Sequence, residues 1–143
     1  MKTLLQVLKD KNHKELIAIQ PNRPVYDALV ILAEYKIGAL AVMEGSKLVG
    51  IFSERDYARE VVLKGRSSKT TLIHEVMTAK VLSGRPDELV DSAMSMMSDK
   101  HIRHLPVLDG DTVLGMLSLG DLVKETITYQ KNLIKQLESY IQG

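Results

Sequence analysis

The chain has 143 residues, 45% of them apolar, enough to fill the core of one compact domain or of two small halves that share one. Lys and Arg number 19 against 18 Asp and Glu, so no global field recruits nucleic acid or an anionic membrane, and 4% aromatics without Trp leave little for bases to stack on. The lack of cysteine excludes disulfides, thiolate metal sites and a Cys nucleophile, and fits a reducing, cytoplasmic setting.

At the amino end, "MKTLLQVLKDK" is too short and too interrupted for a signal peptide or a membrane span, and "TLLQVL" reads as a helix. "ELIAI" is a short β-like run, stopped by the two prolines of "QPNRP". In "VYDALVILAEYKIG" the residues Val25, Ala28, Leu29, Leu32 and Ala33 recur at helical spacing, with Gly38 suited to the helix exit. Two apolar β runs, "ALAVME" and "KLVGIF", follow, joined by Glu44-Gly45-Ser46, and a helix starts at Glu54. "KGRSSKTT", Lys64 to Thr71, is basic and rich in hydroxyls; it is either a solvated linker or a source of phosphate contacts through Arg66, Ser68 or Lys69. The order then recurs: "KVLSG", "ELVDSAMSMMSDKHI", "HLPVLD", a turn at Asp109-Gly110, "TVLGML" and "LGDLVKETI". Met94, Met96 and Met97 suit core filling. Past Asp121, Leu122, Ile127, Ile134, Leu137 and Ile141 fall largely on one face, so the last helix is expected to overrun the unit, either folding back on the domain with the "TLLQVL" helix or meeting a second copy.

The recurrence is a true repeat. Shifting the sequence by 65 positions lays "IGALAVMEGSKLVGIFSERDYAREVV" over "IRHLPVLDGDTVLGMLSLGDLVKETI" without a gap, matching Ile37 with Ile102, Gly50 with Gly115, Ser53 with Ser118, Asp56 with Asp121 and Glu60 with Glu125. Each copy reads β-α-β-β-α. The expected division is 1–76, amino-terminal helix, first repeat and linker, and 77–143, second repeat and carboxy-terminal helix.

Ser-x-x-Asp after a strand is first of all a helix cap. Its occurrence twice at one position, near basic residues, also fits a ligand. A helix start favours phosphate, while a carboxylate repels phosphate but accepts both hydroxyls of a vicinal diol. A ribose beside a phosphate satisfies both, as in dinucleotide folds.

The tandem unit, "IRHLPVLD" followed by G-x-x-S-x-x-D, and "GIFSERDYAREVVLKGRSSK" resemble the cystathionine-β-synthase (CBS) domain family over about residues 12 to 128, in particular its small stand-alone bacterial pairs. The resemblance implies an α+β fold of two repeats about a pseudo-twofold axis with flanking helices. It also implies two clefts that bind AMP, ADP, ATP or NAD(H), a homodimer, and regulation of a partner protein without catalysis. By position, Asp56 and Asp121 would hold ribose hydroxyls, and Ser53 and Ser118 ribose or phosphate oxygens. Adenine would meet the first strand of each repeat, around Ile17 to Ile19 and Lys80 to Leu82, so that Ile19 and Val81 are candidates. The loops before the hairpins, Gly38-Ala39 and Arg103-His104-Leu105-Pro106, would line the clefts, with Arg103 and His104 reaching phosphate. Gly38 and Ala39 cannot do this, so the first repeat would rely on Arg55, or hold another nucleotide.

Other chemistries are poorly supplied. His101 and His104 lack the further ligands of a metal site. Neither serine lies in a nucleophile elbow. The alternative to a nucleotide-sensing module is a constitutive dimeric scaffold with vestigial clefts.

Overall fold

The computed structural model describes residues 1–11 and 15–142. The helices are α1 (Leu4–Asp10), α2 (Val25–Tyr35), α3 (Glu54–Asp56, continuing as a π turn over Tyr57–Val62), α4 (Ile73–Val76), α5 (Val90–Lys100) and α6 (Leu119–Gln142). The strands are β1 (Ala18–Ile19), β2 (Ala39–Glu44), β3 (Lys47–Ser53), β4 (His104–Asp109) and β5 (Thr112–Ser118). They form two compact units. One comprises the amino-terminal helix with residues 83–109 and 114–142; the other comprises residues 15–82 with 110–113.

In the unit of the first repeat, β1 runs parallel to β2, pairing Ala18 with Ala41 and Ile19 with Val42, and β2 forms an antiparallel hairpin with β3. The turn works because Gly45, at φ +63°, takes the left-handed conformation that costs glycine nothing. Ile19, Val25, Ala28, Leu32, Leu40, Val42, Phe52, Val61, Ile73 and Val76 form its core. The helical spacing read from Val25, Ala28 and Leu32 is thus the buried face of α2. The left-handed exit, however, falls at Lys36 (φ +54°), ahead of the expected Gly38, and His101 repeats it after α5 at φ +56°. Each exit is closed by an N–H to the last helical turn, from Lys36 to Leu32 and from His101 to Met97 and Ser98.

The second repeat departs from the expected pattern at its first strand. "KVLSG" forms no strand over Lys80–Leu82; the ladder shrinks to one parallel bridge, Gly84 with Val107, carried by Gly84 N–H to Pro106 O (2.9 Å) and Leu108 N–H to Gly84 O (2.9 Å). Glycine suits this position because an added Cβ would lie 2.6 Å from a Leu4 methyl and 2.9 Å from a Leu105 methyl, two fully buried side chains with little room to turn. Val90, Ala93, Met97, Leu105, Val107, Leu117 and Leu122 fill this core, with Met94 and Met96 packed against it, so the methionines do fill space.

The amino-terminal helix completes this second core. Leu4 and Val7 of α1 are buried among the residues of the second repeat, so α1 groups with that repeat instead of the first, where the sequence division placed it. It does there what α4 does in the other unit: Leu4 and Val7 take the places of Ile73 and Val76, and each helix carries an N3 side chain, Gln6 or Glu75, that accepts from its N-cap N–H. Thr3 Oγ1 accepts from Gln6 N–H to close the box. α6, about 36 Å long by its 24 residues, buries only its first turns, and residues 127–142 are exposed.

Candidate ligand sites at the two helix starts

β3 and β5 end in serine, and each following helix begins at once. The first helical N–H is held by the loop that precedes the hairpin: Glu54 donates to Gly38 O at 3.0 Å, and Leu119 donates to Arg103 O at 2.7 Å. That bond brings the expected loop residues to the expected serine in each repeat. Pro106 and Ala39 are buried behind, His104 is half-buried, and Arg103 is exposed.

Both Ser-x-x-Asp motifs are capping boxes. In the first, Ser53 N–H donates to Asp56 Oδ2 at 2.9 Å, Ser53 Oγ donates to the same oxygen at 3.0 Å, and Asp56 N–H donates back to Ser53 Oγ at 3.2 Å. In the second, Ser118 N–H donates to Asp121 Oδ2 at 2.8 Å and Asp121 N–H donates to Ser118 Oγ at 3.1 Å. Two orphan donors at each helix start are thereby satisfied.

The second carboxylate oxygen distinguishes the repeats. Asp56 Oδ1 accepts from Thr78 Oγ1 at 3.0 Å. Asp121 Oδ1 has no partner among the described residues, while Oδ2 is ion-paired to Lys11 Nζ at 3.0 Å. Burial pushes the Asp121 carboxyl upward, but the Ser118 N–H and the hydrogen bond and charge of Lys11 outweigh it and hold the pKa below the ordinary aspartate value of 3.8. It is therefore an ionised, half-buried acceptor with one oxygen available. Beside it a cleft of about 290 Å³ opens between α1 and α6, lined by Val7, Asp10, Lys11, Asp121, Lys124 and Glu125.

Other candidates lie elsewhere in their units. Ile19 is buried in the β1–β2 ladder, and Arg55 is half-buried on the first turn of α3. Val81 precedes the Gly84 bridge, outside any strand. The 64–71 segment is tied to the start of α2, with Tyr26 N–H donating to Ser68 O (2.9 Å) and Val25 N–H to Thr71 O (2.8 Å). Lys69 lies over the Tyr26 ring at 5.5 Å, and Arg66 is exposed, its N–H bonded to Val61 O. No group of three or more His, Asp and Glu among the described residues is placed to hold a metal. Among them, too, no helix is long and apolar enough to cross a membrane.

Lys11 and Thr78 were missed from the sequence. A signal existed: "LLQV" and "IHEV" share apolar, Gln/Glu and Val positions, at a spacing of 69 that the 65-residue register hides.

The model of the CBS domain matches residues 8–63 and 73–127. The mitochondrial CBS domain-containing protein CBSX3 of Arabidopsis thaliana is 39% identical over 83% of the chain, which spans 60% of that relative's length. A solved protein with CBS domains from Burkholderia ambifaria superposes with a TM-score of 0.86 at 46% identity, covering 89% of this chain and 95% of the other. The CBS domain pair of protein MJ0100, solved in complex with 5′-methylthioadenosine and S-adenosyl-L-methionine, reaches 0.79 at 26% identity, covering 90% of this chain and 98% of the other. Two matched domains on one repeated Ser-x-x-Asp architecture mean that the chain belongs to the CBS domain family, as a tandem pair.

Proposed function

We propose that the protein is a regulatory module, cytoplasmic and without chemistry of its own, that binds adenosine-containing ligands such as AMP, ADP, ATP or NAD(H) and signals their presence to a partner protein. The observation that carries this reading is Asp121: a carboxylate kept ionised by Ser118 and Lys11, with Oδ1 unengaged among the described residues, at the start of a long helix. A vicinal diol is the ligand group that such an oxygen accepts best, and both molecules bound to the MJ0100 pair carry a ribose diol.

In this reading Asp121 and Asp56 take ribose hydroxyls, Ser118 and Ser53 take ribose or phosphate oxygens, and Arg103 with His104 reaches phosphate. The backbone beside Ile19 and Gly84 is left for adenine, Gly84 replacing Val81 because it holds the strand register of the second repeat. Signalling further requires that ligand favour one arrangement of the protein, since equal affinity for two states shifts nothing.

A second reading, a constitutive dimeric scaffold, is favoured by one feature: Ile134, Leu137 and Ile141 of α6 are 54%, 55% and 81% exposed. Thermal melting with AMP, ATP, NAD and GTP separates the two. A ligand at 100 times its Kd stabilises the fold by about 2.7 kcal/mol, and the sensor reading expects an adenine nucleotide to raise the midpoint. No shift with any of them favours the scaffold.

A further inference from the structure

The donors that hold the two carboxylates differ in charge. In the first repeat Thr78 supplies both contacts, its backbone N–H to Ile51 O at 2.8 Å and its hydroxyl to Asp56 Oδ1. In the second, the matching acceptors are Met116 O and Asp121, and one ammonium serves both: Lys11 Nζ lies 2.8 Å from Met116 O and 3.0 Å from Asp121 Oδ2. The second carboxylate is thus held by a full positive charge on Oδ2, where the first is held by a neutral threonine on Oδ1. An ammonium has three donors, and these contacts use two. The third is left for an acceptor in the cleft that Lys11 and Asp121 both line, and the four-carbon stem gives it reach. Lys11 also cancels the charge by which Asp121 would otherwise repel that phosphate.

We infer that Lys11 is an anion-selecting residue of the second-repeat site, in addition to Arg103 and His104, an inference that rests on the adenosine reading above. It makes this site prefer a ribose ligand bearing phosphate over the neutral nucleoside, a preference that Thr78 gives the first repeat no means to share. The test is isothermal titration of the full chain with AMP and with adenosine, for the wild type, Lys11→Met and Lys11→Arg. Losing one charge-assisted hydrogen bond weakens AMP binding about tenfold or more in Lys11→Met and leaves adenosine within about twofold, while Lys11→Arg keeps the wild-type ratio. If the methionine variant does not fold, Lys11→Gln gives the same split. Wild type that binds AMP, with an AMP-to-adenosine ratio unchanged in Lys11→Met, overturns the role of Lys11 and leaves the adenosine reading standing. Wild type that binds neither ligand overturns both.

Discussion

Gly50 and Gly115 occupy the same repeat position, three residues before the serine, yet replacing them with alanine should have different consequences. Neither has a positive φ, so alanine fits the backbone at both, and reduced freedom of the unfolded chain contributes about 0.4–1 kcal/mol in its favour. The added methyl decides. At Gly50 it would lie 2.6 Å from Met77 Sδ and 2.9 Å from Thr78 O, and that carbonyl is fixed by its hydrogen bond from Ile51 N–H. Backbone must therefore move, and with it the threonine that holds Asp56. At Gly115 the close atom is a Leu8 methyl at 2.8 Å, the end of a side chain that can rotate. Overpacking costs about 1–3 kcal/mol, which leaves Gly50→Ala about 1–2 kcal/mol less stable and Gly115→Ala within about 0.5 kcal/mol of the wild type. At about 2–4 °C per kcal/mol the first loses about 5 °C of Tm. Urea unfolding followed by circular dichroism reads both values, with an unchanged m showing that the native state is intact. Equal losses, or a larger loss at Gly115, would refute the claim that backbone crowding by the segment after α4 demands glycine at position 50.

Three further outcomes follow from the same contacts. Ser118→Ala removes the acceptor of Asp121 N–H and should cost about 1 kcal/mol, and Ser53→Ala, which also loses the hydroxyl bond to Asp56, should cost more in the same urea assay. The Asp121 carboxyl titrates below its unfolded value, so its stabilisation is present above about pH 4 and disappears as the pH falls through the folded pKa. Asp121→Asn should accordingly be less stable than wild type at pH 7 and converge with it in acid; a gap that persists at about pH 2 contradicts this sign. Leu137→Asp, on an exposed face of α6, should leave stability within about 0.5 kcal/mol, and a loss above about 1 kcal/mol in equilibrium unfolding would show that the face is covered.

Most of this architecture is written in local patterns. Val25, Ala28 and Leu32 announce the buried face of α2, Gly45 and Gly110 announce the turns, and the matched Ser53/Asp56 and Ser118/Asp121 announce the helix starts. What escaped the sequence depends on contacts between distant segments. A two-residue ladder such as β1, or the single bridge at Gly84, has too few residues for periodicity to locate, which is why the strand was expected at Lys80–Leu82. The place of α1 was hidden because its buried residues are only Leu4 and Val7, and their match to Ile73 and Val76 falls at a spacing of 69 that the 65-residue register conceals. Lys11 escaped because its partners Met116 and Asp121 lie more than a hundred residues away in sequence. The left-handed exit at Lys36 was missed because the nearby Gly38 was the cheaper candidate.

The central claim is that Asp121 receives the ribose of an adenosine ligand, and equilibrium titration of AMP into wild type and Asp121→Ala tests it most directly. Hydrogen bonds to a charged acceptor contribute about 1.5–3 kcal/mol, so the substitution should weaken binding by at least about tenfold while the circular dichroism spectrum stays that of the folded protein. AMP binding of equal affinity in the two proteins would contradict the account.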